Sequence, residues 1–285
     1  MEQKNMAAAF RIFPTALDFV VMAMWVFVAQ ILTVYLCGLC GMEFPDMALA
    51  TSPDDELSLW AQLSAAQSLA IIYPISMLIS VGGILLYRWL RGGVLKIASC
   101  SRSGFDPSRL LGLFVMMVAV QFVIEPLVAL MPSTPPMVGR GFFTILVSVF
   151  LAPVFEEVLC RGVIFESFRA KYGVWSGWIW SSLFFGVIHG QITAMVGAAL
   201  LGLILGYAYI RSNSIFAPII LHALNNSLAL ALMAFDLGES SFRDVIPSDE
   251  IYWIVWGVSL LVVLIGFVVM LRNLKRENAS VPDID

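Results

Sequence analysis

Glu156, His189, His222 and Asn226 are the side chains in this sequence whose types and spacing suit bond-breaking chemistry. The chain has only two histidines, and both lie in stretches apolar enough to sit in a bilayer. Ionisable groups there are costly, so each is a functional candidate by default. The full set is Asp18, Glu125, Glu156, Glu157, Arg161, His189 and His222. Glu157 and Arg161 stand i,i+4 in the favourable acid-before-base order, which predicts a pair that neutralises itself on one helix face. Glu156 points about 100° away and is the freer carboxylate. His222 and Asn226 are also i,i+4 and share a face.

A buried carboxylate tends toward a base at neutral pH, and a histidine beside it could share a water molecule. The second histidine and the amide could then donate hydrogen bonds to an oxyanion. These are the parts for hydrolysing an amide with water as nucleophile. A serine triad has no support, because G-x-S-x-G is absent and Ser227 has no evident base partner. H-E-x-x-H is absent too, although Glu156, His189 and His222 could form a His₂Glu zinc site.

The elements that must position these groups follow from composition. The 285 residues are 60% hydrophobic and only 13% charged, with a net charge of −4 and a mean hydropathy of +0.91. So few charges cannot cover a soluble domain of this length. The same numbers exclude a disordered chain, four cysteines exclude a disulfide-stapled scaffold, and the acidic balance gives nucleic-acid binding no support. The expectation is an all-α polytopic membrane protein, in the inner membrane if the source is bacterial. Eight stretches reach the roughly 20 residues a span needs: 15–37, 67–88, 110–131, 141–168, 174–190, 193–211, 214–234 and 251–272. The first is too long for a signal-peptide core and shows no cleavage site, so it is expected to be a retained helix. With both termini cytoplasmic, eight spans place every Lys and Arg except Arg140 and Arg243 on the inner side, as the positive-inside rule asks.

Depth brings the polar groups together. At 1.5 Å per residue, Glu156 lies roughly 18 Å from the inner face, His189 roughly 22 Å, His222 roughly 12 Å and Asn226 roughly 18 Å. Pro153 and Pro218 precede the glutamates and His222 and are expected to kink their helices. The sequence shows no repeat or linker, so 1–285 reads as one transmembrane domain. Ser52-Pro53-Asp54-Asp55 reads as a helix start, and 273–285 as a polar, frayed tail.

The motifs also resemble a known family. Glu156-Glu157-Val158-Leu159-Cys160-Arg161 fits E-E-x-x-x-R, Phe185-Gly186-Val187-Ile188-His189 fits F-x-x-x-H, and His222-Ala223-Leu224-Asn225-Asn226 fits H-x-x-x-N. In that order they resemble the CAAX-protease and bacteriocin-processing (CPBP) family, which includes the type II CAAX prenyl endopeptidases. The resemblance covers roughly 140–235 as a catalytic core of spans four to seven. It implies an intramembrane glutamic endopeptidase in which Glu156 and His189 activate water and His222 and Asn226 stabilise the oxyanion. Glu157, Arg161 and Phe185 would support the site. It implies no metal, with zinc as the alternative, and a protein or peptide substrate at the bilayer, lipidated or not. Asn225 could replace Asn226 if the helix register shifts.

Plainer readings apply elsewhere. Glu125 reads as a helix-end charge, Asp18 as an interfacial group reached by water, and Cys160 as packing. Cys37-x-x-Cys40 lacks the second ligand pair a metal site needs. Gly202-x-x-x-Gly206 reads as a close helix–helix contact. The rival functions are a proton-coupled transporter, which also uses buried acids and histidines but for which no inverted repeat is visible, and a non-catalytic scaffold of the same fold.

Overall fold

The computed structural model describes residues 13–44, 55–93, 106–131, 141–234, 242–246 and 248–279. The described residues are mostly helical and include no strand. In chain order the helices are α1 (Ala16–Leu39), α2 (Asp55–Leu90), α3 (Pro107–Val128), α4 (Phe142–Tyr172), α5 (Val174–Val187), α6 (Ile192–Ser212), α7 (Phe216–Ala234), α8 (Phe242–Val245) and α9 (Asp249–Ala279). Seven are long and apolar enough to cross a membrane, so the protein is integral and multi-pass. The fifth expected span is the exception. It is the 14-residue α5, about 21 Å long against a hydrocarbon core of about 30 Å. The tail expected to fray is helical as far as Ala279. Ser52, Pro53 and Asp54 of the expected helix start, and Lys4, Arg11, Lys96, Arg102 and Arg140 of the charge map, lie outside the described residues.

Two features of α4 were not expected. Leu146–Leu151 and Val158–Phe165 are π-helical, with α-helical turns at Ala152–Glu157 and Glu166–Tyr172. Pro153 stands two residues after the end of the first π segment. Its missing N–H removes one i→i−4 bond, and the wider turn absorbs the loss. Pro218 does not interrupt α7, because it falls in the first turn, where a backbone N–H has no intrahelical partner anyway. α3 opens with Asp106 as N-cap and Pro107 next to it. The Ser108 hydroxyl and the backbone N–H of Arg109 hold the Asp106 carboxyl below the usual carboxylate range.

The chain divides into two compact units, one of residues 1–96 and 134–159, the other of 97–133 and 160–285. In the first unit α1 packs on α2. The Trp25 indole covers Gly83 so closely that no side chain could stand there, and its Nε1 donates to the Ile79 carbonyl at 3.3 Å. Asp18 is only 1% exposed, so water is not its partner. Its carboxylate accepts from Thr15 in a capping box, from the Tyr87 hydroxyl at 2.6 Å and from Arg91 Nε at 3.1 Å. The sequence hid this because Tyr87 and Arg91 lie a whole helix away.

In the second unit α5 and α6 form the tightest pairing, an antiparallel hairpin built on glycines. A Cβ at Gly206 would stand 2.8 Å from Trp178, one at Gly202 3.0 Å from the Ser182 Cα, and one at Gly186 2.7 Å from the Met195 carbonyl. The Gly202-x-x-x-Gly206 expectation therefore holds. Without a hydrophobic driving force between helices in lipid, such backbone contact is what brings them together. Trp178 Nε1 adds a 2.6 Å bond to the Leu203 carbonyl. Glu125 ties α3 to the segment after α7, since its carboxylate accepts from the backbone N–H of Phe242 and from the Tyr252 hydroxyl. That is a structural role, as its place near a helix end suggested.

Candidate active site

The second unit gathers three of the expected residues, His189, His222 and Arg161, around the ring of a fourth, Phe185. Phe185, 2% exposed on α5, meets the His189 ring edge-on at 4.9 Å between centroids and the His222 ring at 5.3 Å. The Arg161 guanidinium lies over the same ring at 5.0 Å, a cation–π distance. Arg161 is fully buried, and its Nη2 donates to the Gly202 carbonyl at 2.8 Å. Arg161 thus reaches from α4 to the α5–α6 hairpin. It sits in a π-helical stretch, so the spacing from Glu157 to Arg161 is not the α-helical i,i+4 turn expected from sequence.

His189 is not inside a helix, as the sequence suggested. α5 ends at Val187, and His189 occupies the turn that follows, with Gly190 at φ +73° and the Gln191 N–H bonded to the His189 carbonyl. The only group a carbonyl oxygen can bond is a donor, so the 2.7 Å contact between His189 Nδ1 and the Phe185 carbonyl places the proton on Nδ1. In the neutral ring Nε2 then carries the lone pair, the nitrogen that can accept a proton from water. His189 is exposed while His222 is 5% exposed. One histidine is accessible and the other is packed.

Asn226 lies one helical turn beyond His222 on α7. Its Oδ1 accepts from Asn225 Nδ2 at 3.4 Å, and Asn225 Oδ1 accepts from Gln121 Nε2 of α3 at 2.9 Å. Asn225, the alternative to Asn226, is therefore committed to α3. Gln121 was not singled out from sequence, where a lone glutamine in an apolar helix carries no motif.

The carboxylates belong to the first unit. Glu157 is fully buried and Glu156 half-buried. Glu156 Oε1 accepts a 2.8 Å bond from the hydroxyl of Tyr73 on α2. Tyr73 also stacks edge-on against Phe155 and is followed by Pro74 within the helix. Sequence reasoning missed it, because a tyrosine mid-span looks like one more aromatic and its partner is far along the chain. Its one signal is polarity at mid-span. Fixing one oxygen of Glu156 aims the other, so if Glu156 is the base that the motifs suggest, Tyr73→Phe is expected to lower turnover about 3- to 10-fold, the worth of one such hydrogen bond. KM and thermal stability should hold. A kinetic comparison in detergent checks this, and equal turnover would remove Tyr73 from the site.

Among the described residues no group of three His, Cys, Asp or Glu side chains is arranged to hold a metal ion. Cys37 and Cys40 stand at the end of α1 and Cys160 is buried, and none of the three is in a disulfide.

Comparison with known proteins bears on the same stretch. Residues 139–228 match the family model described as type II CAAX prenyl endopeptidase Rce1-like. An Escherichia coli protein described as "Uncharacterized 24.3 kDa protein" is 32% identical over 127 residues, 42% of this chain and 57% of that one. A Bacillus subtilis (strain 168) protein described as "Putative membrane peptidase YdiL" is 26% identical over 88 residues, 31% of this chain and 36% of that one. The matches thus span 57% and 36% of these two relatives' lengths. No solved structure matches the chain.

Proposed function

We propose that this protein is an intramembrane endopeptidase that hydrolyses a peptide bond of a membrane-associated protein or peptide. The observation that carries the reading is the His189 turn, where the Phe185 carbonyl fixes the imidazole so that Nε2 is its basic nitrogen. The family-model match over 139–228 supports it, since all three motifs fall inside that range.

In the proposed reaction Glu156 and His189 Nε2 take a proton from water as its oxygen attacks the scissile carbonyl carbon. The carbonyl π electrons move onto oxygen, and the oxyanion accepts hydrogen bonds from an imidazole N–H of His222 and the amide NH₂ of Asn226. Collapse re-forms the carbonyl and breaks the C–N bond, and the proton held by the base passes to the leaving amine. Phe185 keeps both rings in place, Arg161 ties the ring's surroundings to α6, and Glu157 is a further structural support. Side chains alone activate the water in this scheme. Both termini are proposed to be cytoplasmic, and the substrate to be lipidated or a plain peptide segment.

The test is purified protein in detergent with quenched-fluorescent peptides, some carrying a prenylated cysteine followed by three residues, run with and without a zinc chelator. Cleavage is expected to persist in chelator and to vanish in Glu156→Ala. Survival in Glu156→Ala would remove the assignment, and loss on chelation with rescue by zinc would replace it with a metalloprotease. Ion flux in vesicles without cleavage would favour the transporter.

A further inference from the structure

We infer that Gln121 and Asn225 are positioning residues that set which end of the Asn226 amide faces the substrate. The inference rests on the proposed oxyanion role of Asn226 and adds two residues that no motif specifies, Asn225 filling a variable position of H-x-x-x-N. Side-chain amides are ambiguous in direction unless something unambiguous anchors them. Here the anchor is a backbone carbonyl. Gln121 Nε2 lies 3.5 Å from the Met117 carbonyl, which can only accept, so that end of Gln121 is the NH₂. The same nitrogen donates at 2.9 Å to Asn225, which must therefore present its oxygen. Asn225 then turns its NH₂ toward Asn226 and meets Oδ1 at 3.4 Å. With its oxygen held, Asn226 directs its NH₂ away from Asn225.

Polarity therefore passes along three amides from α3 to α7. A donor end is what a developing oxyanion requires, and the opposite end would repel it. Asn225 is 9% exposed, so it gains little direction from solvent, and Gln121 supplies it instead. An isolated asparagine would divide its time between two flips, only one of them productive.

The experiment is a double-mutant cycle on cleavage of a fluorogenic prenylated-cysteine peptide, using full-length protein in detergent. Gln121→Leu is expected to lower kcat about 10-fold, the worth of one orienting hydrogen bond, with KM unchanged. In an Asn226→Ala background the same Gln121→Leu change should cost nothing, because there is no amide left to orient. Gln121→Glu, which places an acceptor where the donor stood, should lower kcat at least as far as Gln121→Leu while melting at the wild-type temperature. A loss of equal size in both backgrounds would mean that Gln121 only supports packing and would overturn the relay. Full activity in Gln121→Glu would overturn it as well. If Asn226→Ala cleaves like wild type, or wild type does not cleave at all, it is the oxyanion reading that fails, and the relay falls with it.

Discussion

Glu156→Gln is expected to lower peptide cleavage by about 10³-fold, within the range removed with a general base, and to leave the fold intact. The two side chains have nearly the same shape. A glutamine oxygen can still accept the bond that the Tyr73 hydroxyl makes to Glu156 Oε1, so the contact between α2 and α4 survives. What disappears is the capacity to take a proton. Thermal melting and gel-filtration behaviour should therefore match wild type while kcat collapses. Glu156→Asp keeps the charge but withdraws it by one methylene, and a misplacement of that order costs about 10²-fold. The ordering Glu above Asp above Gln is the signature of a positioned base. Rates within ten-fold of one another for all three would show that Glu156 only lines the site.

Gly186→Val is expected to damage stability and activity together. A Cβ at Gly186 would stand 2.7 Å from the Met195 carbonyl and 2.9 Å from the Ala199 Cβ, and the first of these is backbone that cannot rotate aside. α5 and α6 must separate, an overpacking cost of about 1–3 kcal/mol. Gly186 adjoins Phe185 and its carbonyl accepts from the His189 N–H, so the displacement reaches the histidine turn directly. Gly112→Ala is the matched control, because its Cβ would meet open space on α3. The expected result is a lowered melting temperature and lost cleavage for Gly186→Val, with neither change for Gly112→Ala. Two equal melting curves would refute the backbone-contact account of the hairpin.

Hydropathy was enough to place seven spans, because a stretch of apolar residues long enough to cross has few other uses in a chain this poor in charge. Spacing was enough to single out Phe185, His189 and His222, and the structure sets both imidazoles against the Phe185 ring. What stayed hidden had no local signature. The apolar run of α5 continues through Ile188, so hydropathy could not see that the turn at 188–190 ends it. The π segments of α4 are invisible because nearly every residue there is apolar and no face contrasts with another. Tyr73, Gln121 and the partners of Asp18 depend on pairings 83, 104 and up to 73 residues apart. A one-dimensional reading sees each as an ordinary residue.

The brevity of α5 has a consequence for solvation. Arg169 and Lys171, just before Gly173, mark an interface, and 14 residues onward the chain is about 21 Å deep, some 9 Å short of the far side. There the helix stops: Ile188 still bonds back to the Phe184 carbonyl, but the peptide groups of residues 189–191 leave the i→i−4 ladder. Hydrocarbon does not tolerate such groups; a turn at that depth must be covered by protein or lie against a hydrated cavity. The exposed face of His189 favours the second. A helix stopped short at that depth gives water a reason to reach the bilayer interior beside His189, and in the hydrolysis proposed above that same water would be the reactant.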